Sequence, residues 1–231
     1  TLAKEAFPKM RFHEGFEWPS EQSVLDGFGS QLETKQIVSM LNAVGFSSPP
    51  SWLKPFRVLS NGQKFRAELA RCALENKSGV IFDEFTSVVD RDVARIGCAA
   101  LEKALRRKEA PPFIAVSCHY DIIDWLQPDW VFDVGSQRFD WRLRSRRPEI
   151  RLDVFRTTAS AWRVFREHHY LDHALSSAAA CYVATWDGKP VAFTSVIHFP
   201  HPKCSNFKRE HRTVVLPDFQ GVGIGNILSE Y

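Results

Sequence analysis

The sequence lacks several features that would assign a protein to a class at once. No apolar run reaches the roughly 18 residues that a membrane-spanning helix needs, and no charged-then-apolar leader opens the chain. The cysteines number five and form no C-x-x-C pair, so neither a zinc site nor a dithiol motif is indicated. We therefore expect a protein of the cytoplasm, with reduced cysteines in its core and no membrane partner.

The net charge and the length of the chain exclude fewer classes of protein. The formal net charge of +3 is too small to require a polyanionic partner, and 231 residues of ordinary globular composition are enough for two domains. The chain begins at Thr1 without a methionine and ends at Tyr231, soon after a segment that resembles the opening of a helix. We expect both ends to be cut from a longer protein.

The first 140 residues alternate helical apolar patterns with short apolar runs, which favours an α/β fold with a parallel sheet buried on both faces. We interpret residues 1–29 as loops around one short element. The predicted helices cover 33–44, 61–76 and 92–108, and the predicted strands cover 80–82 and 113–116.

A change in composition marks a predicted domain boundary. Arginines crowd one segment, after which the pattern favours strands and a hairpin turn at Asp187-Gly188. We expect a first domain at 1–140, a basic linker at 141–149 and a second domain at 150–231. The second domain is predicted to hold a helix at 159–168 and strands at 150–155, 181–186, 190–197 and 213–216.

Two acidic residues, Asp83 and Glu84, follow the apolar strand Val80-Ile81-Phe82. Parallel sheets bind their ligands at the carboxyl ends of strands, so chemistry is plausible there. In nucleotide hydrolysis the first acid would hold Mg²⁺ through water and the second would orient the attacking water. A strand that simply ends in two acids before a turn is the alternative.

Further motifs stand around these acids in a fixed order. Ser60, Asn61, Gly62 and Gln63 open a predicted helix, where free backbone N–H groups attract phosphate, although Ser60 is also a good helix cap. Downstream, Asp90 closes the segment Ser87-Val88-Val89-Asp90, and His119 follows the second apolar strand.

In this order the segments resemble the ABC ATPase family: its signature motif at residues 59–63, its Walker B strand at 79–84, its D-loop at 87–90 and its switch histidine at His119. The resemblance implies ATP and Mg²⁺ as cofactors and a head-to-tail homodimer, in which Ser60 and Gly62 of one subunit contact the γ-phosphate held by the other. It implies Glu84 and His119 as catalytic residues, Asp83 as the water-mediated Mg²⁺ ligand, and Asn61, Gln63 and Asp90 beside the nucleotide.

The sequence departs from the family in two places. It has no G-x-x-x-x-G-K-[ST] loop to cradle the phosphates, so these residues alone should bind ATP poorly. Asn61 stands where the family more often has glycine. Gln22 lies near the expected Q-loop position, but its neighbours do not match and the assignment stays open.

A second motif, Gln220-Gly221-Val222-Gly223-Ile224-Gly225, follows an apolar strand and opens a helix. Glycines there allow backbone amides to approach a pyrophosphate closely, since a Cβ would obstruct the phosphate or crowd the helix against the strand. By itself a glycine-rich turn of this kind is weak evidence of function.

This motif, with the strand, helix and hairpin before it, resembles the acetyl-CoA loop of the GNAT acetyltransferase family. The resemblance implies acetyl-CoA as a cofactor, held by Gln220, Gly221, Val222, Gly223, Ile224 and Gly225, and direct acetyl transfer to an amine. Glu210, His211 and the pair His168-His169 are candidate general bases. The predicted fold class is therefore α/β, a partial P-loop ABC ATPase domain followed by a partial α+β GNAT domain.

The sequence favours a bifunctional enzyme that couples ATP hydrolysis to acetylation of an amine on an unknown acceptor, with proteins and RNA as candidates. One alternative is a nucleic-acid-binding ABC clamp, with the arginines on phosphates and the GNAT domain as a recognition module. Another is a transporter ATPase subunit, which the poor match around Gln22 disfavours. The arginines concerned are Arg138, Arg142, Arg144, Arg146, Arg147 and Arg151.

Overall fold

Two units, Thr1–Pro148 and Glu149–Tyr231, divide the chain in the computed structural model. The structure describes residues 2–107, 110–141, 150–200 and 207–230. Both units combine helices with strands, as the predicted α/β class requires. No helix within these ranges is both long enough and apolar enough to span a bilayer.

The first unit is built on a three-stranded parallel sheet in the order β1-β2-β3, formed by Arg11–His13, Val80–Phe82 and Phe113–Ala115. All three residues of the central strand β2 are buried. Successive strand residues point to opposite faces, so the rest of the unit covers both faces of β2. Strand β1 was not expected. The interpretation of residues 1–29 as loops around one short element was wrong, because the segment holds both a short helix and this strand.

Helices carry the chain between the parallel strands. The three helices predicted for this unit are present with ends within two residues of those expected, because their apolar positions recur at helical spacing. The helices are α1 (Leu2–Ala6), α2 (Thr34–Ala43), α3 (Pro49–Trp52), α4 (Asn61–Glu75), α5 (Arg91–Arg106) and α6 (Ile122–Leu126).

An antiparallel hairpin follows, made of β4 (Trp130–Asp133) and β5 (Arg138–Trp141). Trp141 therefore belongs to a strand. Residues 142–149, the rest of the predicted basic linker, lie outside the described residues. The predicted domain bounds stay a prediction.

The second unit holds a four-stranded antiparallel sheet in the order β6-β7-β8-β9, with strands Asp153–Thr157, Ala180–Trp186, Lys189–His198 and Lys208–Val215. The β7–β8 hairpin turns at Asp187 and Gly188, which have φ values of 49° and 78°, as the dipeptide predicts. Helix α7 (Trp162–Phe165) is shorter than expected and lies between two 3₁₀ turns, and α8 (Ile224–Glu230) follows β9.

Candidate active sites

The loop after β2 carries the first candidate site. Asp83 is half-buried and Glu84 is exposed, while the side chain of Phe85 is fully buried in the core. The Phe85 N–H donates to the Val116 carbonyl at 2.9 Å, which ties this loop to the end of β3. Glu84 and Thr86 have positive φ values, 50° and 69°. Non-glycine residues persist in this conformation only where their surroundings impose it.

Glu84 lines a cleft of about 220 Å³ together with Asn61, the first residue of α4. The structure thus brings together two of the residues that the sequence singled out. Asp83, Asp90 and His119 are not among the residues that line this cleft. Most of its walls are apolar, and the remaining lining residues are Phe56, Lys64, Phe65, Glu68, Phe82, Thr86 and Val88.

Ser60 and Gln63 form a capping box at the start of α4. The Gln63 N–H donates to Ser60 Oγ at 3.2 Å, and the Ser60 N–H donates to Gln63 Oε1 at 3.1 Å. The Gln63 amide also donates to Ser51 Oγ at 3.2 Å, and Gly62 is buried in the first turn. Both side chains therefore have a structural role, which is the simpler interpretation of this motif.

Asp90 caps the next helix in a similar way. Its Oδ1 accepts the Asp92 N–H at 2.9 Å, and its carbonyl accepts the Ala94 N–H at 2.8 Å. An acidic N-cap also interacts favourably with the positive end of the helix dipole. The first role of Asp90 in this fold is to begin α5.

His119 is half-buried in the loop after β3. Its backbone N–H donates to Ser117 Oγ at 3.1 Å, and its Nδ1 lies 3.4 Å from the same oxygen and 3.9 Å from Cys118 Sγ. Cys118 is exposed, so the expectation that the cysteines are core residues was wrong for it. Cys72, Cys98 and Cys181 are buried, and Cys204 lies outside the described residues.

Sequence reasoning missed two residues at the same edge of the sheet. Glu68 lines the cleft, accepts a hydrogen bond from Trp18 Nε1, and lies 3.0 Å from His13 Nε2. His13 ends β1 and pairs with Phe82, one residue before Asp83. Strand β1 is too short to show an apolar period, so no signal in the sequence pointed to His13. Gln22 is exposed, and its Q-loop assignment stays open.

The chemistry of the donor set limits how a metal could bind. In the described ranges no group of three or more His, Cys, Asp or Glu residues could hold a metal ion. Mg²⁺ commonly keeps several waters and binds one or two carboxylates together with substrate phosphates. Asp83 fits that type of site, in which phosphate oxygens supply ligands that the protein does not.

The arginines that the nucleic-acid alternative needs are mostly undescribed. Arg138 lies in β5 and its Nε donates to Asp140 Oδ1 at 3.0 Å, so it already has an acidic partner. Arg151 is exposed. Arg142, Arg144, Arg146 and Arg147 lie outside the described residues.

The second candidate site is the turn between β9 and α8. Gly221 and Gly223 have φ values of 93° and 98°, which favour glycine. Gln220 Nε2 donates to the Val215 carbonyl at 3.0 Å and anchors the turn to the strand. Val222 is half-buried, whereas Ile224, where the helix begins, is buried in the unit.

The glycines of this turn differ in what an added Cβ would meet. At Gly223 no atom lies within 4 Å of the ideal position, so the space beside this backbone is open to a ligand. At Gly225 the nearest atom is Val215 Cγ2 at 3.4 Å, an ordinary contact. Crowding against the strand therefore does not explain Gly225, and the conformational requirement falls on Gly221 and Gly223.

The candidate general bases are in different environments. His211 Nε2 accepts the Ser176 N–H at 3.1 Å, and His169 Nδ1 accepts the Leu171 N–H at 3.3 Å. Burial, followed by the charge of Arg212, lowers the pKa of both imidazoles. Glu210 and His168 are exposed, and Glu210 Oε2 accepts the Ser229 hydroxyl at 2.8 Å.

Comparison with known proteins finds a family model that is similar to the C-terminal part of the chain. Residues 120–231 match the model of the acetyltransferase (GNAT) family. The predicted fold class is confirmed: a parallel-sheet α/β part is followed by residues that match the GNAT family model, and this match supports an acyltransferase. The match begins inside the first unit, before the predicted start of the second domain at residue 150. No curated protein matches the chain.

Similar solved structures are ATP-binding cassettes. One is a dimeric ATP-binding cassette in a post-hydrolysis state bound to ADP and Pi, at 13% identity and a TM-score of 0.41, covering 52% of this chain and 58% of that one. Another, described as a metal-chelate-type ABC transporter in an inward-facing conformation, has 16% identity and a TM-score of 0.42, covering 62% and 65%. The chain thus covers less than two thirds of their length, and a likeness of this size does not establish a function.

Proposed function

We propose that the second unit binds acetyl-CoA at Gln220, Gly221, Val222, Gly223, Ile224 and Gly225 and catalyses acetyl transfer to an amine. The observation that supports this most is the turn itself, with two left-handed glycines and open space at Gly223, within residues that match the GNAT family. Backbone N–H groups in such a turn bind a pyrophosphate without a charged side chain.

Acetyl-CoA would supply a thioester whose acetyl carbon the amine attacks. The chain must accept the amine proton, and a base for this needs a free lone pair within reach of the substrate. His169 and His211 each use a ring nitrogen to accept a backbone N–H, which makes them poorer candidates. Glu210 and His168, both exposed, are the candidates we favour.

Two glycines offer a matched test of the cofactor site. Gly223 and Gly188 both have positive φ, 98° and 78°, and neither has an atom within 4 Å of an added Cβ. Alanine at either position should cost roughly 1 kcal/mol through backbone strain. Only Gly223→Ala should lower the affinity for coenzyme A and acetyl-CoA in titration calorimetry, by about tenfold or more. Equal affinities for the two variants would contradict the proposed site.

For the first unit we propose ATP hydrolysis of the ABC type. Glu84 would orient the attacking water, Asp83 would hold Mg²⁺ through its water shell, and His119 would contact the γ-phosphate. In a head-to-tail homodimer, Ser60, Asn61, Gly62, Gln63 and Asp90 would face the nucleotide of the partner. The supporting observation is the loop of Glu84, held in a left-handed conformation at the carboxyl end of the central parallel strand.

The ATPase proposal is tested with Glu84→Gln in the gene product that contains these residues, since this chain lacks the usual phosphate-binding loop. We expect Glu84→Gln to abolish ATP hydrolysis and to accumulate an ATP-dependent dimer in light scattering. Glu21→Gln is the matched control, because Glu21 is an exposed carboxylate paired with Arg57 at 3.1 Å. Hydrolysis that survives Glu84→Gln would exclude Glu84 as the catalytic carboxylate.

We further propose that the two activities belong to one bifunctional enzyme of the cytoplasm, with an amine on a protein or an RNA as acceptor. Acetylation of a panel of amines, proteins and tRNA with and without ATP tests the coupling. A rate that ATP changes in the wild-type protein but not in Glu84→Gln would support coupling, and equal rates would separate the two activities.

A further inference from the structure

Arg91, the first residue of α5, has more partners than its exposure suggests. Its Nε donates to Asp121 Oδ2 at 3.0 Å and its Nη2 donates to Asp121 Oδ1. Its Nη1 lies 3.4 Å from Thr86 Oγ1, and its guanidinium lies 4.9 Å from the centre of the Trp125 ring. One planar group therefore contacts a carboxylate, a hydroxyl and an aromatic ring at once.

These partners belong to the two loops that carry the candidate catalytic residues. Thr86 lies two residues after Glu84, in the loop after β2, and Asp121 lies two residues after His119, in the loop after β3. Thr86 is 1% exposed and has a φ of 69°. Its left-handed conformation must be held by tertiary contacts. The hydroxyl of this strained residue is one of the groups that Arg91 contacts.

The position of Arg91 in α5 makes this arrangement unusual. A cation in the first turn of a helix is disfavoured by the positive end of the helix dipole. The acidic residues Asp90 and Asp92 at the same helix end and the fork of Arg91 on Asp121 offset that cost. The fork of Arg91 on Asp121 lowers the pKa of that carboxyl, and the charge of Arg91 lowers it further.

We infer that Arg91 is a positioning residue that holds the loop of Glu84 and the loop of His119 in one relative arrangement. Its catalytic consequence rests on the ATP hydrolysis proposed above. The side chains of Arg91 and Asp121 are 37% and 44% exposed, and ion pairs at such exposure contribute little to global stability. The effect of Arg91 is therefore local, on the geometry of the two loops.

The first test needs no nucleotide and uses Cys118, the exposed thiol beside His119. All variants carry Cys204→Ser, so that labelling at position 204 does not contribute to the signal. Thiol labelling with a disulfide reagent reports the loop after β3, and hydrogen exchange at the Phe85 and Ser87 amides reports the loop after β2. Arg91→Ala should increase both rates together, by about fivefold, the upper range for an exposed ion pair.

Two further variants separate positioning from simple charge. Arg91→Lys keeps the charge but cannot bridge Asp121 and Thr86 together, so it should behave like Arg91→Ala. Arg138→Ala removes another exposed arginine–aspartate pair, Arg138–Asp140, and should leave both rates unchanged. Rescue by lysine, or faster labelling of Cys118 without faster exchange at residues 85 and 87, would overturn the proposal.

The second test uses the gene product that contains these residues. Arg91→Ala should lower kcat for ATP hydrolysis several-fold and leave KM for ATP unchanged, since the residue positions groups that act in the transition state. An unchanged kcat would overturn the catalytic part. If the wild-type protein hydrolyses no ATP, the proposed function fails, while labelling and exchange still decide whether Arg91 joins the two loops.

Discussion

The backbone of Glu84 is strained at the position where we propose that the side chain acts in ATP hydrolysis. Its φ of 50° is in the left-handed region, which costs a non-glycine residue roughly 1–2 kcal/mol. The buried Phe85 ring and the Phe85–Val116 hydrogen bond hold the loop in place against that cost. Strain of this kind is often concentrated at active sites, where it fixes a side chain in position.

Glu84→Gly should therefore stabilise the first unit while it removes the carboxylate. We expect the free energy of unfolding to rise by roughly 1 kcal/mol, because glycine adopts a positive φ without a steric penalty. Glu84→Gln keeps the strained backbone and should leave stability unchanged. Urea unfolding followed by tryptophan fluorescence compares the two variants, and a less stable Glu84→Gly would show that the loop is not strained.

Helices α4 and α5 approach each other where one of them has no side chain. An ideal Cβ on Gly97 of α5 would lie 2.7 Å from Cε1 of Phe65, which projects from α4 and is 4% exposed. Phe65 also lines the cleft beside Glu84. The close approach of the two helices thus sets the position of one wall of the candidate site.

Gly97→Ala should destabilise the first unit although alanine is the better helix former. The gain in helix propensity is about 1 kcal/mol, whereas overpacking of a buried contact costs about 1–3 kcal/mol. We expect a net loss of roughly 1 kcal/mol in urea unfolding. Phe65→Leu in the same chain should relieve the clash, so the double variant should lose less than the sum of the single losses. Additive losses would contradict the packing argument.

Across the whole molecule, the clearest response to pH is expected from the second unit. Burial lowers the pKa values of His169 and His211 below the usual histidine value of about 6.5. Between the folded and the unfolded pKa values the unfolded chain binds more protons than the folded one. The folded unit is therefore most stable above pH 6.5, where both imidazoles are neutral, and it loses stability as the pH falls below that value.

In calorimetric unfolding, the stability of the second unit should therefore fall as the pH is lowered from 7.5 to 5. In a chain that carries His169→Gln and His211→Gln, the dependence in this window should be weaker, because glutamine does not titrate. His168→Gln is the control, since His168 is exposed. An equal slope in the double variant would assign the pH response to other groups.

Features that depend on residues close together in the sequence could be predicted, and features that depend on distant residues could not. Helices α2, α4 and α5 and strands β2, β7 and β8 were predicted because apolar period and capping residues act over a few neighbours. The Asp187-Gly188 turn was predicted for the same reason, and the glycine turn before α8 is equally local. His13, Glu68 and Arg91 were missed because their partners lie far away in sequence.

The α/β class, the order of the longer helices and strands and the segments that resemble the two families could all be read from the sequence. These properties depend on local periods, on glycines that adopt positive φ and on short motifs. Packing between distant segments places Glu84 in a cleft with Asn61, leaves Cys118 exposed and brings Arg91 into contact with Asp121 and Thr86. Those outcomes depend on close contacts between distant segments, which no local pattern encodes.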